Sequence, residues 1–393
     1  MMRKPSIFPL GLAIFTMLFG AGNVVFPLTL GRAVGENIWF AIGGFFLTAV
    51  LVPLLGLVSA MLFDGDYKKF LAQMGKIPGE VICFICMLLL GPVLAPRCIT
   101  LAYSAVSWHV PNCSLVAFSF FVALLIFILT LRKNTVVTLF GKVLGPLKII
   151  LLFSIIILGL LASLWIEPVG LTPVASFLKG LKEGYYTMDL LGTIFFASLI
   201  YGAIRNQLAG QQDVDNKLIA RIGLKAGLIG GFLLGVVYLG FCYVAAMYGP
   251  HLGEVPQEKL LCALATLILG TKGGILANMT VAVACFVTSM ALTTVFADYL
   301  SSDIFKGKIP YLHTLLITVS IIFAMANLGF SGLMAVLEPI VVVGYPALIV
   351  LAFGNVLYKL FGFSWTRITV VLTFCVSLFF YYGHTIKQLF SCV

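Results

Sequence analysis

The sequence predicts an all-α polytopic membrane protein with about 11 transmembrane helices, arranged as two inverted five-helix repeats and one extra helix. Three observations carry that prediction. Of 393 residues, 61% are hydrophobic and only 10% charged, more apolar surface than a soluble protein needs. Apolar runs of the ~20 residues that cross a bilayer as a helix recur along the chain. The first of them is interrupted at its centre by Phe19-Gly20-Ala21-Gly22-Asn23 and closed by Phe26-Pro27, at a depth where no water satisfies freed backbone groups.

The spans fall at about 6–32, 37–62, 79–107, 113–131, 142–164, 186–204, 223–247, 273–300, 311–329, 332–358 and 366–383, with boundaries uncertain by several residues. Met1-Met2-Arg3-Lys4 begins like a signal peptide, but the apolar run that follows is too long and has no small-residue cleavage site, so it reads as a retained span. The glycines of that span fit either close helix packing or a broken helix lining a polar cavity. A five-span unit ends on the opposite face from its start, so a second copy enters upside down. Residues 6–164 and 186–358 form the two copies, 366–383 the extra helix, and 1–393 a single transmembrane unit. The third and eighth spans correspond and both exceed the length of one crossing. The sixth corresponds to the first, with Ala197 and Ser198 at its centre between Phe195-Phe196 and Tyr201-Gly202. The seventh carries Gly223, Gly227, Gly230, Gly231, Gly235 and Gly240, a smooth face for close helix contact. The loops 63–78, 165–185, 205–222 and 248–272 read as solvent-facing turns.

Charge sorts by face. Only Arg32, Lys179, Lys182, Lys259, Lys272 and Lys387 lie on the side away from the N-terminus; apart from Arg97, which is inside a span, the other basic residues lie on the N-terminal side. This positive-inside bias puts the N-terminus in the cytoplasm. It accounts for the net charge of +10 as a topology signal without a nucleic-acid partner. Cys83 and Cys86 form a C-x-x-C, but no second pair or His cluster completes a zinc site, so the nine cysteines read as small hydrophobes.

Few groups carry chemistry. Thr293 and Thr294 share a helix face with Met290. Two readings stand for the pair: hydroxyls completing the oxygen shell of a dehydrated Na⁺, or hydroxyls bonded to their own i−4 carbonyls. Asp189 opens the sixth span as a helix cap or in an outer vestibule. Arg97 is buried between Pro96 and Cys98 and requires a carboxylate, carbonyls or a watery cavity. Glu338, before Pro339, is the candidate partner for it or a proton-carrying group. Asp64-Gly65-Asp66 and Asp213-Val214-Asp215 admit a metal-diphosphate reading but sit in loops without a partner motif, as solvated turns do. No nucleotide-binding or hydrolase signature is present, which argues against ATP-driven pumping by this chain alone.

The run Phe19-Gly20-Ala21-Gly22-Asn23-Val24-Val25-Phe26-Pro27 resembles the signature of the branched-chain amino acid transport system II carrier (LIVCS, BrnQ) family. So do Gly184-Tyr185-Tyr186-Thr187-Met188-Asp189 and the stretch from Cys285 to Tyr299 that contains Thr293-Thr294. The resemblance implies a LeuT-like fold and a symporter of the bacterial inner membrane that imports leucine, isoleucine and valine with Na⁺ or H⁺, with no other cofactor. It implies an ion held by Thr16, Phe19, Gly20, Ala21, Thr293 and Thr294. It implies a substrate surrounded by Gly20, Ala21, Gly22, Asn23, Phe195, Phe196, Ala197 and Ser198. Family members usually carry a twelfth span, where eleven are read here. Two alternatives remain: a LeuT-like carrier of another small neutral amino acid, and a membrane-embedded enzyme using the aspartate pairs.

Overall fold

The computed structural model describes residues 7–131, 145–161, 165–208 and 216–391. Asp213 and Asp215, with the basic residues Arg3, Lys4, Arg132, Lys133 and Lys142, lie outside the described residues. All regular structure among the described residues is helical.

The first span is two helices, α1 (Ile7–Leu18) and α2 (Gly22–Val34), separated by Phe19–Ala21. The Phe19 amide closes α1 on the Phe15 carbonyl at 2.9 Å, and the amides of Val24 and Val25 open α2 on the Ala21 carbonyl at 3.3 and 3.2 Å. Pro27 lies inside α2 and lacks the amide that would bond the Asn23 carbonyl. The backbone is therefore loosened on both sides of Asn23.

The second span joins α3 (Ile38–Phe46) to α4 (Val52–Met61) through a wide turn at Leu47–Leu51. A short α5 (Tyr67–Leu71), capped by Asp66, leads into the third span, α6 (Lys76–Leu89) and α7 (Ala95–Ser107). Pro92 and Pro96 each remove a backbone donor there, and the helix widens over Leu90–Leu94 so that the Ala95 amide reaches the Leu90 carbonyl. The fourth and fifth spans are α8 (Leu115–Thr130) and α9 (Gly145–Leu161).

The sixth span differs from its sequence reading. It begins at Pro173, as α10 (Pro173–Thr187), and turns at Met188 into α11 (Asp189–Gln207). Met188 sits in the left-handed region at φ 59° and ψ 25°, while the helix is regular through Ala197 and Ser198. The predicted start at 186 and centre at Ala197–Ser198 are thus displaced. Lys179, Lys182 and Glu183 made α10 look like a solvent-facing loop, whereas Gly180 and Gly184 seat it against α3. A Cβ on Gly180 would lie 2.1 Å from the Ala41 carbonyl oxygen, so the backbones touch.

The seventh span is α12 (Asn216–Met247), followed by a short α13 (Gly249–Leu252). Its glycines receive Leu54 and Leu57 of the second span, Ile14 of α1 and Ile156 of α9, the close packing that their spacing predicts. The stretch α14 (Leu260–Tyr299) is two helices joined at Gly270, whose φ 68° and ψ 178° are not helical, so the helix of the eighth span begins just after Gly270, near the predicted 273. Then come α15 (Tyr311–Ala326), α16 (Gly329–Phe361) and α17 (Thr366–Ser391). Large apolar side chains such as Trp39, Phe121, Leu161 and Phe379 face outward, where lipid covers them.

Candidate functional site

The two breaks meet. Asn23, at the start of α2, is buried and has its side chain fully engaged. Its Oδ1 accepts the Gly20 amide at 2.7 Å, an amide that the end of α1 leaves without a helical partner. Its Nδ2 donates to both oxygens of Asp189 at 2.8 and 2.7 Å and also contacts the Tyr238 hydroxyl. Tyr238, from α12, donates in turn to Asp189 Oδ2 at 2.7 Å. The Tyr345 hydroxyl of α16 accepts the Leu190 amide at 3.0 Å. The first turn of α11 is thereby held from the first, seventh and tenth spans.

Asp189 is the first residue of α11 and only 3% exposed. A carboxylate there lies at the positive end of the helix dipole, and Met188, rather than Asp189, occupies the capping position. The vestibule reading of Asp189 is corrected: it is a core group inside a hydrogen-bond cluster.

Arg97 lies across the break on the third span. Its Nη1 donates to the Tyr186 carbonyl at 2.8 Å and its Nη2 to the Thr187 carbonyl at 3.5 Å, the last carbonyls of α10. A cation at a helix C-terminus is favoured by dipole and hydrogen bonds together. The guanidinium also stands 5.5 Å from the Phe26 ring centroid. Gly22 makes room for it, since a Cβ there would lie 2.7 Å from Arg97 Nη2. Glu338 is not its partner. That carboxylate accepts from the Lys182 ammonium at 2.9 Å and the Tyr186 hydroxyl at 2.8 Å, and its side chain is 46% exposed. Carbonyls outcompete it because Arg97 enters beneath α10 while Glu338 stays at the rim.

Between these groups lies a cavity of about 40 Å³, lined by Met17, Leu18, Gly20, Ala21, Asn23, Arg97, Thr187, Asp189, Gly192, Phe196, Thr288 and Leu292 among others. That is room for about three waters. On the other side of Gly20 a smaller apolar cavity of about 10 Å³ is lined by Phe19, Val24, Leu152, Ile155 and Ala277 among others.

Of the residues implied to surround a substrate, Gly20, Ala21, Asn23 and Phe196 line the larger cavity, and Gly22 packs behind it on Arg97. Phe195 turns away to stack on Tyr67 at 4.9 Å between centroids. Ala197 is buried beside Gly65, and the Ser198 hydroxyl bonds the Phe195 carbonyl at 3.0 Å. Of the residues implied to hold an ion, Thr16 donates to the Leu12 carbonyl at 2.9 Å, and Phe19 is buried against Phe15. Thr293 and Thr294 donate to the carbonyls of Ser289 and Met290 at 2.7 and 2.9 Å. From α14 it is Thr288 and Leu292 that reach the cavity. In the loop aspartate pair, Asp66 accepts the amides of Lys68 and Lys69, and Asp64 pairs with Lys69 at 3.1 Å. Both are structural tasks.

Tyr238 and Tyr345 were not singled out in the sequence. The only hint was a tyrosine hydroxyl between Gly235 and Gly240 of an otherwise apolar span, and another beside Pro346.

Two broken helices meeting over a polar cavity inside a helical bundle define a membrane protein of LeuT-like fold. The structure of Mhp1 in an inward-facing conformation superposes with a TM-score of 0.66, at 12% identity, over 91% of this chain and 78% of that one. MhsT in complex with L-phenylalanine superposes with a TM-score of 0.61, at 14% identity, over 96% of this chain and 99% of that one. The family model described as branched-chain amino acid transport protein matches residues 3–390, and the chain belongs to that family. Among its relatives, the branched-chain amino acid permease BraB of Bacillus subtilis (strain 168) is 34% identical over 232 residues, 56% of this chain and 50% of that protein. The permease BrnQ of Escherichia coli (strain K12) is 30% identical over 241 residues, 58% of this chain and 53% of that protein. The chain spans about half the length of the relatives it matches.

Proposed function

We propose that the chain imports leucine, isoleucine and valine across the bacterial inner membrane by alternating access, with its N-terminus in the cytoplasm and a cation, Na⁺ or H⁺, moving with the substrate. The observation that carries this reading is the cavity between the breaks at Phe19–Ala21 and Met188, where Arg97 and Asp189 supply opposite charges beside the polar Asn23, Thr187 and Thr288. The side chains beyond Gly20, around a space of about 10 Å³ that would have to widen, are apolar and would face a branched side chain. One methylene in such a pocket is worth only ~1–3 kcal/mol, so the three substrates share it. The coupling ion belongs between the first and eighth spans at Thr16, Phe19, Thr293 and Thr294. Each threonine hydroxyl there donates a hydrogen bond to an i−4 carbonyl and keeps oxygen lone pairs. The family and its named relatives support the substrate class.

The test is uptake of labelled leucine, isoleucine and valine into proteoliposomes, with and without a Na⁺ or pH gradient. Gradient-dependent accumulation of all three is the expected result. Absence of accumulation under either gradient overturns the reading. If Thr293→Val and Thr294→Val leave ion dependence unchanged, the ion assignment falls.

A further inference from the structure

We propose that the cavity recognises its substrate as a zwitterion, with Arg97 binding the carboxylate and Asp189 the ammonium group. This rests on the transport reading above and names the two residues that select for the amino-acid backbone.

Arg97 is 3% exposed, lines the cavity, and is permanently charged at any working pH. Its two Nη atoms are occupied by the end of α10, but its Nε has no hydrogen-bond partner among the described residues. Each Nη carries a second N–H beyond its bond to α10, and a buried guanidinium is matched best by an anion with a charge-assisted bond. Asp189 faces the same cavity from the start of α11. Asn23, Tyr238 and the Thr187 side chain supply its donors, and its negative charge is what draws an ammonium group. No direct ion pair joins Arg97 to Asp189 among the described residues. An amino acid placed between them alternates the charges as guanidinium, carboxylate, ammonium, carboxylate. The net charge of the site stays unchanged when it loads, so no uncompensated charge is brought into the bilayer. A neutral side chain then points away into the apolar wall.

Equilibrium binding of labelled L-leucine to the purified protein tests this, with competition by leucinamide, which lacks the carboxylate, and 4-methyl-2-oxopentanoate, which lacks the ammonium. The wild type is expected to prefer leucine to both analogues. Arg97→Gln is expected to weaken leucine about 10–100-fold, the range for losing a hydrogen bond to a charged group, and to narrow the gap to leucinamide. Asp189→Asn is expected to narrow the gap to the keto acid, and Arg97→Lys to restore part of the loss. Wild-type protein that binds either analogue as well as leucine overturns the proposal. So do variants that weaken leucine and both analogues by one common factor. If a variant fails to fold, the wild-type series decides alone. A panel of other L-amino acids separates this from the transport reading. Binding of alanine or phenylalanine in place of leucine, with the same dependence on both charges, removes the branched-chain assignment and leaves this one standing. Leucine bound without that dependence does the reverse.

Discussion

Asn23 satisfies the Gly20 amide, which the break would otherwise strand, and completes the bonding of the Asp189–Tyr238 pair. A buried group left without its bond costs about 1–3 kcal/mol, and in a bilayer no water enters to replace it. Asn23→Ala is therefore expected to lower the melting temperature in detergent and to abolish uptake. Asn23→Asp is expected to be worse, because it sets a second carboxylate against Asp189. Unchanged melting of Asn23→Ala would show that the cluster does not hold the breaks together. Asn23 was legible in the sequence because an amide beside two glycines at mid-membrane has few uses other than bonding backbone. Asp189 was not, because an acidic residue opening a helix is most often a solvated cap, and only Tyr238 and Arg97, distant in sequence, show that it is buried.

Elements obey the same contrast. The break of the first span is visible because Gly20 and Gly22 weaken a helix wherever they stand. The break of the sixth falls on Met188, whose left-handed backbone costs about 1–2 kcal/mol and has no compositional mark. Its side chain is buried at 2% exposure, and truncating a buried methionine costs about 2–5 kcal/mol. The second effect wins, so Met188→Gly is expected to destabilise despite relieving the strained backbone. A melting temperature that rises instead would mean the side chain contributes little. The seat of α10 on α3 gives a sharper test. Gly180→Ala drives a Cβ to within 2.1 Å of the Ala41 carbonyl, and overpacking costs about 1–3 kcal/mol. Gly202→Ala, in α11 with nothing within 4 Å, is expected to be neutral or stabilising by about 0.5–1 kcal/mol. Equal melting shifts for the two would contradict the close backbone approach. The pattern of apolar runs thus revealed the apolar helices, while contacts between distant backbones decided where α10 begins.

At the scale of the whole molecule, the cavity of about 40 Å³ is too small for a leucine, so loading requires the helices around it to part. Two ion pairs stand where parting begins. Lys182 of α10 pairs with Glu338 of α16 at 2.9 Å, above Tyr186, whose carbonyl holds Arg97. Lys68, at the start of α5, pairs with Asp303, just beyond α14. Counting crossings from the N-terminus puts the first pair on the far face and the second on the N-terminal face. Each is partly exposed and worth about 0–1 kcal/mol, little for stability but enough to shift a balance of two conformations about fivefold. Lys182→Gln is expected to favour opening to the far face, and Asp303→Asn opening to the N-terminal face. Cys98 lines the cavity and reports on both. In a chain keeping only that cysteine, a membrane-impermeant thiol reagent is expected to label Lys182→Gln faster from the far face and Asp303→Asn faster from the N-terminal face. Wild-type labelling rates for both variants from both faces would show that the pairs do not guard the cavity, and the opening would have to be sought in the wide turns at Leu47–Leu51 and Leu90–Leu94 instead.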